Sequence, residues 1–402
     1  MRPFDGRRVI LGVTGGIACY KAVSLARLLT QAGAVVDVIM SQSAHAFIGA
    51  ITFEAVTGRP VAPDILDAGH ALAHIRLAKE AALVIVAPAT ADLLARAAQG
   101  RASDQLTAVL LATTAPVLMA PAMNDGMWAH ASIGTNVQGL RGMGYIVLEP
   151  DIGPLAFGEG IGRGRMPEPE TILAHAARAI ETARGLAGRH IVVTAGPTRE
   201  SLDPVRYITN HSSGRMGVAI AAAAWRRGAL VTLVHGPLEV PLPIGPDCIA
   251  VTTTAEMRDA VASVLPTAHA LVMAAAPADF RVAVIGTQKL KKSGEAPVLQ
   301  LEHTDDILST TRALRRHEAV VMGFALETTD VESNARSKLQ NKGLQFVVAN
   351  DATEDGAGFG TDTNRVVIFD ADGSREAPPL MLKTELADLL LDRLFQAMER
   401  RT

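Results

Sequence analysis

Thr194-Ala-Gly-Pro-Thr-Arg-Glu-Ser-Leu-Asp-Pro-Val-Arg-Tyr-Ile-Thr-Asn-His-Ser-Ser-Gly-Arg-Met-Gly217 follows a short apolar run, Ile191-Val192-Val193, and precedes an alanine-rich segment whose pattern predicts a helix from near Val218. Two turns, Gly196-Pro197 and Ser213-Gly214, interrupt the stretch, and Arg199, Arg206 and Arg215 are interleaved with Thr, Asn and Ser. A strand that feeds a glycine-containing polar loop and then a helix start is how α/β folds hold phosphate. Free backbone N–H groups and the helix dipole both favour an anion there. A connector at such a junction needs only a few residues. A stretch this long and this rich in donors predicts a ligand site on an α/β sheet.

The same strand–helix rhythm extends in both directions. Downstream, strands are predicted at Leu230 to Val234, Ala270 to Ala274, Val320 to Phe324, Phe346 to Ala349 and Val366 to Phe369. Upstream, they are predicted at Val9 to Val13, Val35 to Met40, Leu83 to Ala87, Val117 to Ala120 and Tyr145 to Leu148, with a helix from about Ile17 to Ala32. Short β-branched runs bounded by Gly, Pro or Ser read as buried parallel strands. Gly158, Gly160, Gly162 and Gly164 mark a mobile surface loop. A helix from about Pro169 to Ala183 and a linker, Arg184 to Gly188, follow. The expectation is an α/β chain of two doubly wound parallel-sheet domains, residues 1–188 and 189–402.

Composition agrees with that outline. A chain of 402 residues exceeds one ordinary core. It is 49% apolar but only 4% aromatic, the texture of small-residue helices on buried strands. A net charge of −3 argues against nucleic acid or an anionic membrane as partner. Cys19 and Cys248 lie in different halves, which does not read as a disulfide framework and fits a reducing compartment. No apolar run approaches the ~18 residues of a membrane span and no signal-like stretch follows the first residues, so a cytoplasmic chain is expected. The P-loop pattern is missing from both halves, and Gly12-Val-Thr-Gly15-Gly16-Ile17 lacks the G-x-G-x-x-G spacing of a dinucleotide fold.

In the first half, Gly15 and Gly16 end a strand and open a helix, so their amides can approach a phosphate. Ala87-Pro88-Ala89-Thr90-Ala91 and Pro121-Ala122-Met123-Asn124 end two further strands. Ligands of open α/β sheets bind at carboxyl strand ends, so these segments and Ser41 should line one crevice. Asn124 before Met127-Trp128 also suits an ordinary helix cap, and His70, His130 and His190 are left without a role. Together with His74-Ile-Arg-Leu77 and the glycine-rich Gly164-Arg165-Met166, these motifs resemble the flavin-dependent cysteine decarboxylases. The resemblance implies a flavodoxin-like flavoprotein domain holding FMN through Gly15, Gly16, Ser41, Thr90 and Met119. It also implies that His74 and Asn124 are catalytic and that Asn124 and Met127 touch substrate. A cysteinyl carboxylate loses CO2 only when an electron sink is available, and oxidation of the thiol to a thioaldehyde creates one. An imidazole suits the proton transfer in that oxidation. The relatives' flap reads Ala-Cys-Gly, with the cysteine as acid. Here it reads Ala156-Phe157-Gly158, a phenyl ring has no proton to give, and no acid is assigned.

The opening stretch and the second-half motifs Ala274-Ala-Ala-Pro-Ala-Asp279-Phe, Gln288-Lys289-Leu-Lys-Lys292, Gly323-Phe324-Ala-Leu-Glu327, Lys338 to Lys342 and Ala349-Asn350-Asp351 resemble phosphopantothenate–cysteine ligases. Taken whole, the chain resembles the bifunctional enzymes of coenzyme A biosynthesis. The resemblance implies a Rossmann-like ligase domain that activates phosphopantothenate with CTP through an acyl-cytidylate. Nucleotide contacts would come from Met273, Ala274, Ala275, Asp279, Lys289, Asp305, Asp306, Ile307, Leu308, Phe324, Lys338 and Lys342. A triphosphate facing an anionic substrate requires cations. Lys289, Lys338 and Lys342 are assigned to the triphosphate and Arg206 to phosphopantothenate. Asn210 would cover the cytidylate during attack by the cysteine amine, and Lys289 would stabilise charge at the α-phosphate. Asp305 stands where relatives carry proline. Mg2+ is implied by the triphosphate, with no protein ligands assigned. Arg199, Arg215 and His211 remain either functional or loop-ordering.

Three functions follow for testing: the two-step enzyme, an active ligase with a regulatory or structural flavoprotein half, and an NAD(P) oxidoreductase, which the glycine spacing disfavours. The resemblance also implies a homo-oligomer built from trimers of one half and dimers of the other, up to a dodecamer. The partners expected are small molecules: 4′-phosphopantothenate, cysteine and CTP.

Overall fold

Alternating burial along each central strand sends successive side chains into two separate cores. Val9 and Leu11 enter one core and Ile10 the other, all fully buried. A strand buried on both faces is what a near-continuous apolar run predicts. The computed structural model describes residues 3–65, 70, 72–183, 185–291, 298–327, 331–351 and 360–401. Arg184 of the expected linker and Lys292 of the lysine run lie outside them. The chain divides into two compact units, Met1–Thr182 and Ala183–Thr402.

The first unit runs β1 (Arg8–Val13), α1 (Cys19–Gln31), β2 (Val35–Met40), α2 (Ala50–Thr57), α3 (Ala73–Glu80), β3 (Leu83–Ala89), α4 (Ala91–Ala98), α5 (Gln105–Ala112), β4 (Val117–Pro121), α6 (Asp125–Trp128), α7 (Ala131–Gly142), β5 (Ile146–Val147), β6 (Asp151–Pro154), β7 (Ile161–Arg165) and α8 (Pro169–Ile180). Strands β2-β1-β3-β4-β5 form one parallel sheet in that order, the flavodoxin-like arrangement. Helices α1 and α8 pack on one face, and α3, α4, α5 and α7 on the other. The glycine-rich segment expected as a mobile loop is instead an antiparallel hairpin, β6–β7. Its glycines serve close approach. A Cβ on Gly164 would collide with the Met123 carbonyl oxygen, and one on Gly162 would lie 2.7 Å from Asp125 Cβ.

The second unit runs β8 (His190–Ala195), β9 (Arg199–Ser201), β10 (Tyr207–Thr209), α9 (Arg215–Arg226), β11 (Leu230–His235), β12 (Asp247–Ala250), α10 (Thr254–Val264), β13 (Ala270–Met273), β14 (Phe280–Val282), β15 (Leu301–His303), α11 (Ile307–Thr310), β16 (Val320–Glu327), α12 (Val331–Lys342), β17 (Phe346–Asp351), β18 (Thr363–Asn364), β19 (Val367–Asp370), β20 (Arg375–Glu376), β21 (Met381–Leu382) and α13 (Lys383–Glu399). Its main sheet has the order β12-β11-β8-β13-β16-β17-β19-β20. Pairing is parallel from β12 to β17. β19 and β20 are antiparallel, so the Val366–Phe369 run is not the parallel strand expected of it. An apolar run reports burial, not direction.

The opening stretch is not a bare loop either. Within it β9 pairs with β10, and the Asp203 carboxylate accepts the N–H groups of Val205 and Arg206 at 2.7 and 2.8 Å to close their turn. Helix α9 begins at Arg215, before the expected Val218, because Gly214 adopts φ 78° ahead of it. A Cβ on Gly217 would lie 2.7 Å from the Thr194 carbonyl oxygen, so only glycine lets α9 rest on the end of β8.

Candidate active sites

In the first unit, hydrogen bonds tie the expected segments together at the carboxyl ends of the strands. Thr14 Oγ1 donates to the Pro88 carbonyl at 2.7 Å and accepts the Thr90 N–H at 3.1 Å. The Ala122 N–H donates to Ala89 at 3.1 Å, and the Ser41 N–H to Val13 at 2.9 Å. Ser41 and Ser43 hydroxyls lie 3.1 Å apart. A Cβ on Gly15 would lie 2.6 Å from Ser43 Cβ and 2.8 Å from its carbonyl carbon, whereas Gly16 faces open space. Such a turn, with hydroxyls and bare amides at the start of α1, fits a phosphate-bearing cofactor. Thr90 also caps α4, accepting the Leu93 N–H. Asn124 accepts the Gly126 N–H at 2.8 Å and so is the helix cap its sequence allowed, and the adjacent Met123 N–H donates to the Gly164 carbonyl at 3.0 Å.

His74 is the second residue of α3. Its Nδ1 is enclosed with no hydrogen-bond partner among the described residues, and both amide atoms of Gln105, at the start of α5, share that condition. Buried polar atoms are normally paired, so these orphans mark places for a ligand or water. Met127 is exposed on α6. Met119, expected at the cofactor, is wholly buried within β4 against the helical core. Lys21 was not singled out by its sequence. It is 5% exposed on α1 and donates to the Met166 carbonyl at 2.9 Å and to Glu168 at 3.0 Å, fixing the segment after β7. A lysine at an apolar position of an amphipathic helix was the available signal.

In the second unit, Met273, Ala275, Asp279, Asp305, Asp306, Ile307, Leu308, Phe324, Lys338 and Lys342 line one cavity of about 310 Å³. A second, of about 380 Å³, shares Ala275, Asp279, Phe324 and Lys338 with it and adds Ala274, Ser212 to Met216, Asn350, Asn364 and Lys383. The opening stretch, expected to hold phosphopantothenate and its cytidylate, therefore ends beside the residues assigned to the nucleotide. Lys338 donates to the Phe324 carbonyl at 2.6 Å. Lys342 pairs with Asp306 at 2.5 Å and Asp305 with Arg258. Burial opposes ionisation of Asp306, but hydrogen bonds from Lys342 and Ser309 outweigh it and hold the carboxyl below its ordinary range. The Asn210 amide donates to the carbonyls of Ala276 and Pro277 at 3.2 and 3.0 Å, fixing the chain after β13.

Two assigned cations stand apart from both cavities. Lys289 is exposed and lines neither. Its neighbour Leu290 donates its N–H to Asp203 at 3.0 Å and accepts from Arg206 at 2.5 Å, which sets Lys289 and Arg206 together at the β9–β10 turn. Spacing along the chain placed Lys289 after the Asp279 strand end but could not show the excursion through β14. Lys383 was missed. Its signal was a cation in the first turn of a helix, where the dipole disfavours positive charge.

Two open α/β sheets, each with a polar site at its carboxyl strand ends, define a protein of two ligand-binding units. A family model described as "Flavoprotein" matches residues 2–181, and one described as "DNA/pantothenate metabolism flavoprotein C-terminal domain" matches residues 186–398. The coenzyme A biosynthesis bifunctional protein CoaBC of Vibrio cholerae is 43% identical over 402 residues, covering 99% of this chain and 100% of that one. Those of Bacillus subtilis and Escherichia coli K12 are each 44% identical, over 395 and 394 residues, with 97% of both chains covered. The chain belongs to the family of coenzyme A biosynthesis bifunctional proteins. Among the described residues no helix is long and apolar enough to cross a membrane.

Proposed function

We propose that residues 189–402 ligate cysteine to 4′-phosphopantothenate using CTP, and that residues 1–188 decarboxylate the product to 4′-phosphopantetheine with FMN. The observation that carries this reading is the convergence of ten assigned nucleotide residues on one cavity that opens onto the Ser212–Met216 helix start. In the ligase unit, the pantothenate carboxylate displaces pyrophosphate from the α-phosphate, and the cysteine amine then displaces CMP from the acyl-cytidylate and loses a proton. Asn210 covers that intermediate, a role supported by its hold on the backbone after β13. Arg206 and Lys289, adjacent at the β9–β10 turn, act on phosphopantothenate and on developing charge. Mg2+ would offset the charge of the triphosphate, with no protein ligand assigned to it.

In the flavoprotein unit, Gly15, Gly16, Ser41 and Thr90 hold FMN, which when bound supplies two-electron oxidation and reduction. His74 takes the proton released as the substrate thiol is oxidised. Asn124 orients the carboxylate without adding charge. Phe157 is fully exposed at the tip of the β6–β7 hairpin and supplies no proton, which favours a second reading in which this unit is regulatory or structural. Self-assembly, up to a dodecamer, belongs to the main reading and is supported by exposed Val284, Ile285 and Val298 around β14 and β15. The test supplies phosphopantothenate, cysteine and CTP and follows pyrophosphate and CO2 separately. Release of both is expected. Pyrophosphate without CO2 establishes the second reading, and neither product overturns both.

A further inference from the structure

The two adjoining cavities of the second unit differ in charge, and that difference sorts the two ends of a nucleotide. The smaller is lined by three carboxylates, Asp279, Asp305 and Asp306, against two lysines, Lys338 and Lys342, with apolar Met273, Ile307 and Leu308, so acids outnumber cations there. A base and ribose suit such walls, and a chain of phosphates does not. Among its described lining residues the larger has Asp279 as the only carboxylate, against Arg215, Lys338 and Lys383.

Two of those cations stand at helix starts. Arg215 is the first residue of α9 and Lys383 the first of α13. The positive helix ends disfavour both, so each position raises the local positive potential. Arg215 Nη1 pairs with Asp362 at 2.7 Å, but its Nε is enclosed and unpartnered among the described residues. Lys383 is 7% exposed, and burial together with the Arg215 charge pushes its ammonium below the usual lysine range, against the pull of Asp362. Its Nζ donates to the Thr361 carbonyl. Concentrated positive charge with neutral Ser212, Ser213, Asn350 and Asn364 around it is the chemistry of a polyanion site.

We propose that Arg215 and Lys383 bind the β- and γ-phosphates of the nucleotide and so hold the pyrophosphate that leaves during acyl-cytidylate formation. The inference rests on the ligase reading and moves the triphosphate from Lys342 toward the start of α13. In the step concerned, a carboxylate oxygen forms a bond to the α-phosphorus and the P–O bond bridging α and β breaks. The bonding pair departs on pyrophosphate, no proton is consumed, and the two cations offset the charge that develops.

The test is equilibrium binding of CTP, CMP and inorganic pyrophosphate to the full chain with Mg2+. Lys383→Met should weaken CTP and pyrophosphate about 10- to 100-fold, the loss of one or two charged hydrogen bonds, and leave CMP within about twofold. Lys383→Arg should keep most of the CTP affinity. Arg215→Gln, at the start of α9, should reproduce the selective loss and serves if Lys383→Met does not fold. Equal weakening of CTP and CMP, or unchanged CTP binding, overturns the assignment while the ligase reading stands. A wild-type chain that binds no CTP overturns that reading and the assignment together.

Discussion

Arg227, just past the end of α9, donates to the Asp388 carboxylate on α13 at 3.0 Å, and both residues are more than nine-tenths buried at 7% and 6% exposed. Arg227 also donates to Asp392 at 2.6 Å, and Arg226 reaches Asp388 from the same helix. The clamp joins the two helices whose first residues are Arg215 and Lys383. It therefore fixes both the core of the second unit and the spacing of two cations at its site.

Removing the acid should expose the cost of that arrangement. Asp388→Ala leaves a buried guanidinium short of its main partner and should destabilise the second unit by about 3–5 kcal/mol, as breaking buried ion pairs does. Urea unfolding of the full chain is the measurement. A midpoint unchanged for the second unit would show that water reaches the pair.

The sequence made the two sheets legible because buried parallel strands are apolar throughout, and β1, β8 and β13 fall where Val9, Ile191 and Ala270 begin apolar runs. Direction at the edge was not legible, since Val367 to Phe369 would read alike in either orientation. The glycines of β7 were misread because composition alone cannot separate a glycine that bends from one that lets Met123 come close. Site residues contributed by one strand end, such as Met273 to Asp279, were found together. Lys383 lay 104 residues from Asp279, in a segment to which no role was assigned, and only tertiary structure brings the two to one cavity.

Gly164 tests whether the hairpin positions the decarboxylase chemistry. Its backbone lies so close to Met123 that alanine must push β7 away from the Met123–Asn124 segment. Gly15 and Ser41 are untouched. Gly164→Ala should therefore keep its flavin, judged by absorbance of the purified protein, while CO2 release falls about 100-fold, the scale of an ångström's misplacement. Loss of flavin in proportion to loss of CO2 release would show a general collapse of the unit instead.

Lys342 and Asp306 predict a pH dependence. The folded carboxyl lies below its unfolded value, so its contribution is fully present above about pH 4 and is lost as pH falls through the folded value. Asp306 is 40% exposed at its side chain, and solvent screening keeps the pair near ~0.2–1 kcal/mol. Lys342→Met should lower stability by that amount at pH 7 and match the wild type near pH 2. Thermal unfolding at the two pH values measures it, and a deficit that persists in acid would assign the effect to lost packing of the lysine stem.

Gln105 makes the opposite prediction, a gain. It is 4% exposed, and neither its amide nitrogen nor its oxygen has a partner among the described residues. Its neighbours in the first turn of α5 leave no use for the amide in the helix itself: Asp104 and Thr107 already form a reciprocal cap. Leu106 fills the space over Gly12. An unpaired buried amide costs about 1–3 kcal/mol, and leucine occupies a similar volume without that cost. Gln105→Leu should raise the stability of the flavin-free protein by about 1–2 kcal/mol, read from denaturant midpoints. A loss of stability would mean that water already satisfies the amide. A gain in the flavin-free protein that reverses when flavin is restored would place Gln105 against the cofactor.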